Sequence, residues 1–146
     1  MHEDVKPILT RRKAGKTVYH VPFPAIGEAY LVAHNKGRVD EIFNSFHSYV
    51  KKGFFIPESI RNTSCYNYAY RLLKSTAANK DHKNGWGEQY MQSTDALILA
   101  CALSDERCTH FLTSDKQINT LDSLDLCVRE IRGEMGCDPL KIKEIQ

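Results

Sequence analysis

Hydrophobic residues recur along this chain with two different periods, which divide it into helical and extended segments. Apolar positions three and four residues apart predict amphipathic helices over 39–50 and 66–77, each with one face on a sheet. Between them, Gly53–Pro57 predicts a strand closed by proline. The apolar positions are Val39, Ile42, Phe43, Phe46 and Val50 in the first helix, and Tyr66, Ala69, Tyr70, Leu73 and Ala77 in the second.

The strongest pattern is an apolar helix followed by a short strand. Thr94–Leu103 is almost wholly apolar after its first two residues, which predicts a buried helix with Ser93 or Thr94 as its N-cap. Asp95 then falls in the first turn, where the helix dipole favours a carboxylate. Thr109–Asp115 predicts a strand that ends at a second carboxylate.

Further segments extend this alternation of strand and helix. Thr17–Phe23 predicts a strand, and Glu28 falls in the first turns of the helical segment that follows it. Leu124–Arg129 alternates and predicts an edge strand, whereas Asp138–Pro139 precedes a short, partly apolar terminal turn. Repeated strand and helix units favour a parallel sheet covered by helices on both faces, so we expect an α/β three-layer sandwich.

Three acidic residues follow from this arrangement as candidate metal ligands. The ends of parallel strands and the starts of the next helices share one edge of a sheet, so we expect Glu28, Asp95 and Asp115 to converge. Two carboxylates about 4 Å apart repel by about 4 kcal/mol at an effective dielectric near 20, so such a cluster binds a cation or keeps a proton. Oxygen ligands alone favour Mg²⁺ or Mn²⁺. Simpler interpretations stay open: Asp95 as a favourable helix start, and Thr113–Lys116 as a turn.

Composition and charge bound the interpretation. A chain of 146 residues with 42% hydrophobic content fits one compact domain spanning residues 1–146. It has no apolar run long enough to cross a membrane and no signal peptide, so we expect a cytoplasmic protein. Five cysteines without a Cys-x-x-Cys pair argue against a disulfide framework or a zinc site. A net charge of only +2 means that any contact with RNA comes from local patches.

The three acidic motifs resemble those of the PIN domain, a family of metal-dependent ribonucleases that includes many prokaryotic toxins. The matching residues are Glu28 in Pro24–Tyr30, Asp95 in Thr94–Ala100, and Asp115 at the end of Phe111–Asp115. The order and spacing of elements agree from about Thr17 to Ile131. The acid-led apolar helix followed by a strand ending Thr-Ser-Asp is the most specific part of the resemblance.

The chain departs from the PIN pattern at its beginning. PIN domains open with a central hydrophobic strand ending in an Asp, whereas Met1–Lys16 resembles the helical segment that follows that strand. Such a strand buries about five apolar side chains, each contributing about 2 kcal/mol, so its loss would remove about 10 kcal/mol from the free energy of folding. Three interpretations follow: the strand lies upstream of Met1, another segment or subunit replaces it, or the protein is a degenerate relative.

The resemblance implies an endoribonuclease that hydrolyses phosphodiester bonds in single-stranded or looped RNA. Glu28, Asp95 and Asp115 would hold Mg²⁺ or Mn²⁺, and Thr113 or Ser114 would orient a carboxylate or the bound water. The alternative is a catalytically impaired PIN-like module that binds RNA or a protein partner. The expected partners are RNA, an antitoxin-like inhibitor protein and a second copy in a homodimer, and no membrane.

Two further regions are weaker candidates for RNA contact. Arg11, Arg12 and Lys13 form a short basic run, and Lys83 and Trp86 lie in a polar, glycine-containing loop before the apolar helix. Cations beside an aromatic ring suit a nucleic acid strand. The basic run is equally typical of a solvated helix face, and Trp86 of a cap on the edge of the core.

Overall fold

The computed structural model describes residues 19–59, 62–77, 91–114 and 122–145, which form a mixed α/β fold. Contacts divide the chain into two compact units, Met1–Arg61 (unit 1) and Asn62–Gln146 (unit 2). In order, the described elements are β1 (Tyr19–Pro22), α1 (Phe23–Asn35), α2 (Val39–Lys51), β2 (Phe55–Glu58), α3 (Cys65–Ala77), α4 (Ser93–Ser104), β3 (His110–Thr113), α5 (Asp122–Glu134) and β4 (Lys141–Glu144).

Unit 1 is built on one parallel strand pair. β1 lies beside β2, with Tyr19 opposite Phe55 and Pro22 opposite Glu58. The rings of Tyr19 and Phe55 meet edge to face, and Phe46 of α2 stacks on Phe55 with ring centroids 5.8 Å apart. The helix predicted at 39–50 is confirmed, and the strands predicted at 17–23 and 53–57 are confirmed over Tyr19–Pro22 and from Phe55. Phe23 instead begins α1, and residues 17–18 lie outside the described residues.

Unit 2 contains a larger apolar core. α3 and α5 both pack against α4, and the core continues under Leu140. β3 and β4 pair in parallel, with α5 as the crossover between them. The buried residues of this core are Ala69, Leu72, Met91, Ala96, Leu99, Ala100, Leu103, Leu124, Cys127, Val128, Ile131 and Leu140. The predicted buried helix after Asp95 is confirmed.

Two predictions about the last quarter of the chain are wrong. Leu124–Arg129 forms part of helix α5, because Leu124, Val128 and Ile131 line one helical face that is buried in the core. The segment after Pro139 forms strand β4 rather than a turn, because its backbone pairs with β3. Local alternation competed with the helical period in the first case, and a non-local partner decided the second.

The described strands form two two-stranded parallel sheets, β1–β2 and β3–β4. No helix in the described part of the chain is long and apolar enough to cross a membrane. The cysteines are all free thiols, and Cys65 and Cys127 are buried.

Candidate metal site and its surroundings

Asp95 lies in the first turn of α4 and is half-buried. The helix begins at Ser93, and Gln92 is its N-cap, so the predicted caps Ser93 and Thr94 are one and two positions late. The Ala96 N–H donates to the Gln92 carbonyl at 3.0 Å, which is the first backbone hydrogen bond of the helix, and Gln92 makes no side-chain cap. Asp95 therefore sits where the helix dipole favours its negative charge.

Thr113 and Ser114 lie at the carboxyl end of β3, as the sequence predicts. Thr113 is half-buried and its carbonyl accepts a 2.8 Å hydrogen bond from the Ile145 N–H, whereas Ser114 is exposed. The next residue, Asp115, lies outside the described residues. The carboxyl edge of a parallel sheet is where ligands bind in open α/β folds, so this strand end is a suitable place for a site.

In alternating strand and helix units, each helix runs antiparallel to the strands it packs on, so we expect the start of α4 and the carboxyl end of β3 at the same end of unit 2. Asp95 and Thr113 are 18 positions apart in the sequence.

Glu144 is an acidic residue at the carboxyl edge of the β3–β4 sheet that the sequence pattern did not reveal. It is the last residue of β4, is half-buried, and is the register partner of Thr113. Neighbouring strands lie about 4.8 Å apart, so a third oxygen-bearing side chain borders the end of β3. The alternating Lys-Ile-Lys-Glu of β4 was the available signal, but it identifies a site only once the pairing with β3 is known.

Glu28 lies in unit 1, in the second turn of α1, and is exposed. β1 ends at Pro22 and α1 begins at the next residue, so Glu28 follows the carboxyl end of a parallel strand, as expected from the sequence. The predicted convergence of Glu28, Asp95 and Asp115 stays a prediction.

A histidine and a glutamate in unit 1 form a pair that the sequence reasoning also missed. The Nδ1 atom of His20 lies 2.5 Å from Oε1 of Glu58, and the two side chains are 31% and 15% exposed. Glu58 ends β2 opposite Pro22. The pair joins the two strands of this sheet through a partly shielded polar contact, and only the register reveals it.

His110 begins β3 and so lies at the opposite end of the strand from Thr113. Partial burial, with the nearby ammonium groups of Lys143 and Lys141, lowers the pKa of its imidazole below the ordinary value. The Thr109 hydroxyl lies 2.8 Å from its Nδ1. His110 is therefore not part of the edge that carries Glu144.

The weaker candidates for RNA contact all lie outside the described residues. They are Arg11, Arg12, Lys13, Lys83 and Trp86.

The candidate donors in unit 2 are chemically uniform. Asp95 and Glu144 offer carboxylate oxygens and Thr113 a hydroxyl, and all three are half-buried. Hard oxygen donors of this kind fit Mg²⁺ or Mn²⁺ and are a poor match for soft metals.

Comparisons with protein-family models, with curated proteins and with solved structures found no match to this chain.

Proposed function

We propose that this protein is a metal-dependent endoribonuclease of the PIN type, acting on single-stranded or looped RNA. Its ligands for Mg²⁺ or Mn²⁺ are Asp95, Asp115 and Glu28, and the register of β3 and β4 adds Glu144 to this set. The observation that carries the proposal is the position of Asp95 in the first turn of a buried helix that is followed by β3, whose carboxyl end lies beside Glu144. Ser114, at that end, directly precedes Asp115 in the sequence.

The proposed fold is the three-layer sandwich of PIN domains, with one central parallel sheet. In support, both described strand pairs are parallel. Parallel sheets are stable when helices cover both faces, and they rarely consist of two strands alone. With one central sheet, residues 1–146 would form a single domain.

The carboxylates perform the central task of the proposed reaction. Asp95, held in the first turn of α4, and Glu144, held by β4, present negative oxygens from two rigid elements. Thr113 can hydrogen-bond a carboxylate or a water at the same edge. A bound divalent ion there would supply an activated water and positive charge opposite the scissile phosphate.

Mn²⁺ titration calorimetry at neutral pH tests the proposal without a known substrate. The chain should bind Mn²⁺ saturably, and Asp95→Asn should weaken this by at least about 10-fold. Asp40→Asn is the matched control, because Asp40 is also a first-turn acid, at the start of α2. Equal binding by Asp95→Asn and the control would contradict the metal site.

Cleavage of a labelled single-stranded RNA in Mn²⁺ then tests the reaction. The chain should cut the RNA, Asp95→Asn should not, and a chelator should stop the reaction. Metal binding without cleavage of any single-stranded RNA would refute the enzyme and leave the ion site standing.

The second candidate is a PIN-like module that binds RNA or a protein partner without cleaving. Exposed apolar side chains on α1 favour it, since Leu31 is 61% and Val32 48% exposed. Such residues are typical of surfaces that another protein covers. An antitoxin-like inhibitor and a second copy of the chain are the proposed occupants, in a cytoplasmic setting that suits free thiols. Sedimentation of the pure chain separates them, because only the second copy gives a dimer.

A further inference from the structure

Two tyrosines and a lysine form a row along the outer side of α3. Tyr66 is 75% exposed and Tyr70 is 58% exposed, although both are large aromatic residues. The Nζ atom of Lys74 lies 5.9 Å from the centroid of the Tyr70 ring, within the range of a cation–π contact. The three residues are spaced by four positions, so they lie on one helical face about 6 Å apart along the axis. We call Tyr66, Tyr70 and Lys74 the tyrosine row.

The charge of α3 suits an anionic ligand. The helix contains no Asp or Glu, and its two cations are Arg71 and Lys74. Arg71 donates to both carboxylate oxygens of Glu134 on α5, at 2.7 and 2.8 Å. The tyrosine row therefore presents two exposed rings and an ammonium group on a helix without acidic residues.

The row runs toward the end of unit 2 that carries Asp95. At one end of α3, Sγ of Cys65 lies 3.0 Å from Oγ of Ser104, the last residue of α4. At the other end, Oγ1 of Thr76 accepts a 3.3 Å hydrogen bond from the Met91 N–H, just before α4 begins. The two helices are therefore antiparallel, and Lys74 is nearer than Tyr66 to the level of Asp95.

We infer that the tyrosine row binds a single RNA strand and guides it toward the Asp95 end of unit 2. Bases would stack on the exposed rings of Tyr66 and Tyr70, and a phosphate would pair with Lys74. Stacking on aromatic side chains beside a cation is how proteins hold single strands with little sequence preference. The direction of the strand rests on the proposed nuclease function, whereas the binding itself does not.

Fluorescence anisotropy with a short, labelled, uridine-rich RNA in EDTA tests the row without metal or cleavage. Tyr66→Ala and Tyr70→Ala should each weaken binding by about 5- to 150-fold. Tyr70→Phe should bind like the unchanged chain, because it keeps the stacking ring. Lys74→Ala should weaken binding and reduce its dependence on salt.

Leu126→Ala is the matched control, because Leu126 is 60% exposed on a different helix of the same unit. It should leave RNA binding unchanged. A loss as large as that of Tyr70→Ala would overturn the inference, and so would unchanged binding in both tyrosine variants. An RNA duplex of the same sequence should bind more weakly, since its bases cannot stack on the rings, and equal binding would overturn the stacking.

The row and the nuclease can fail separately. If Asp95→Asn abolishes cleavage while the tyrosine variants bind RNA normally, the row is refuted and the enzyme stands. If the tyrosine variants lose RNA while the chain never cleaves, the row stands and the nuclease is refuted. Self-association that disappears in both tyrosine variants, without RNA binding by the unchanged chain, would show that the row is a protein interface and overturn the inference.

Discussion

The guanidinium of Arg132 donates a hydrogen bond to the carbonyl oxygen of Leu103, at 3.0 Å, inside the core of unit 2. Arg132 is only 2% exposed, and its other donors reach the carbonyls of Asp105, Cys108 and Asp138 at 2.7–3.0 Å. The charge thus offsets the negative end of the α4 dipole and holds the turn into β3. Since that turn sets where β3 begins, Arg132 supports the position of the strand from a distance.

Replacing Arg132 by Lys should destabilise the protein strongly. An ammonium group lacks the planar fork of the guanidinium and cannot reach all four carbonyls, so buried acceptors lose their donors. We expect the free energy of unfolding to fall by about 2–4 kcal/mol, measured by urea denaturation. Arg129→Lys is the control on the same helix, because the Arg129–Asp125 pair is exposed and contributes less than about 0.5 kcal/mol. Equal losses in the two variants would show that the four carbonyls do not depend on the guanidinium.

Asp95→Asn and Asp40→Asn should have similar stability but different metal binding. Each substitution removes a first-turn carboxylate, which costs about 0.3–1 kcal/mol through the helix dipole. Only Asp95→Asn should also lose Mn²⁺ affinity. Thermal unfolding with and without Mn²⁺ measures both quantities, because an ion that binds the native state raises the melting temperature. A Mn²⁺-induced rise that survives in Asp95→Asn would remove Asp95 from the ligand set.

Glu144→Gln should lower Mn²⁺ affinity by about 10- to 100-fold, because Glu144 is the register partner of Thr113 at the proposed site. Calorimetric titration measures the change. Glu106→Gln is the control, since Glu106 is exposed in the turn before β3, at the other end of the strand. Identical affinities for the two variants would place Glu144 outside the site.

The Arg71–Glu134 pair should make stability depend on pH in the acid range. The hydrogen-bonded guanidinium of Arg71 lowers the pKa of the Glu134 carboxyl below its ordinary value of 4.5. A lowered pKa means that the pair stabilises the fold above about pH 4.5, and that this stabilisation is lost as the pH falls through the folded-state pKa. Glu134→Gln should therefore be less stable than the unchanged chain at pH 7, and the difference should disappear in strong acid. Glu130→Gln, at an exposed position of the same helix, is the control. An equal change of stability with pH in the two variants would contradict the role of the Arg71–Glu134 pair.

Cys65 and Cys127 should resist thiol reagents in the folded protein. Both are buried, and burial raises the pKa of the Cys127 thiol, so little reactive thiolate forms at pH 8. Titration with an aromatic disulfide reagent should therefore reach all five thiols only after unfolding. Cys127→Ser should leave the fast-reacting thiols unchanged, whereas Cys137→Ser, at a half-buried position, should remove one.

The local sequence pattern was sufficient to predict elements whose neighbours in sequence are also their neighbours in space. α4 is apolar on nearly every side, so any helix formed by that segment must be buried, and its start at a carboxylate follows from the dipole. The apolar positions at helical spacing also predict α2 and α3. The face of α3 is wrong, however, because Tyr66 and Tyr70, expected toward a sheet, are exposed and α3 packs against α4 and α5. In α5, Leu124, Leu126 and Val128 alternate as in a strand, yet Leu126 is exposed and the buried residues follow the helical period.

The sequence was sufficient to predict the alternation of strand and helix from β1 to α3 and the buried helix α4. It also places Asp95, Thr113 and Ser114 at the ends of elements. These follow from local periodicity and from the electrostatics of one helix. Long-range packing chooses the helical period over the alternating one in 122–134, pairs 141–144 with β3, and gives Glu144 and Arg132 their roles. Strand register and a buried cation's partners depend on residues far away in the chain, so no local pattern encodes them.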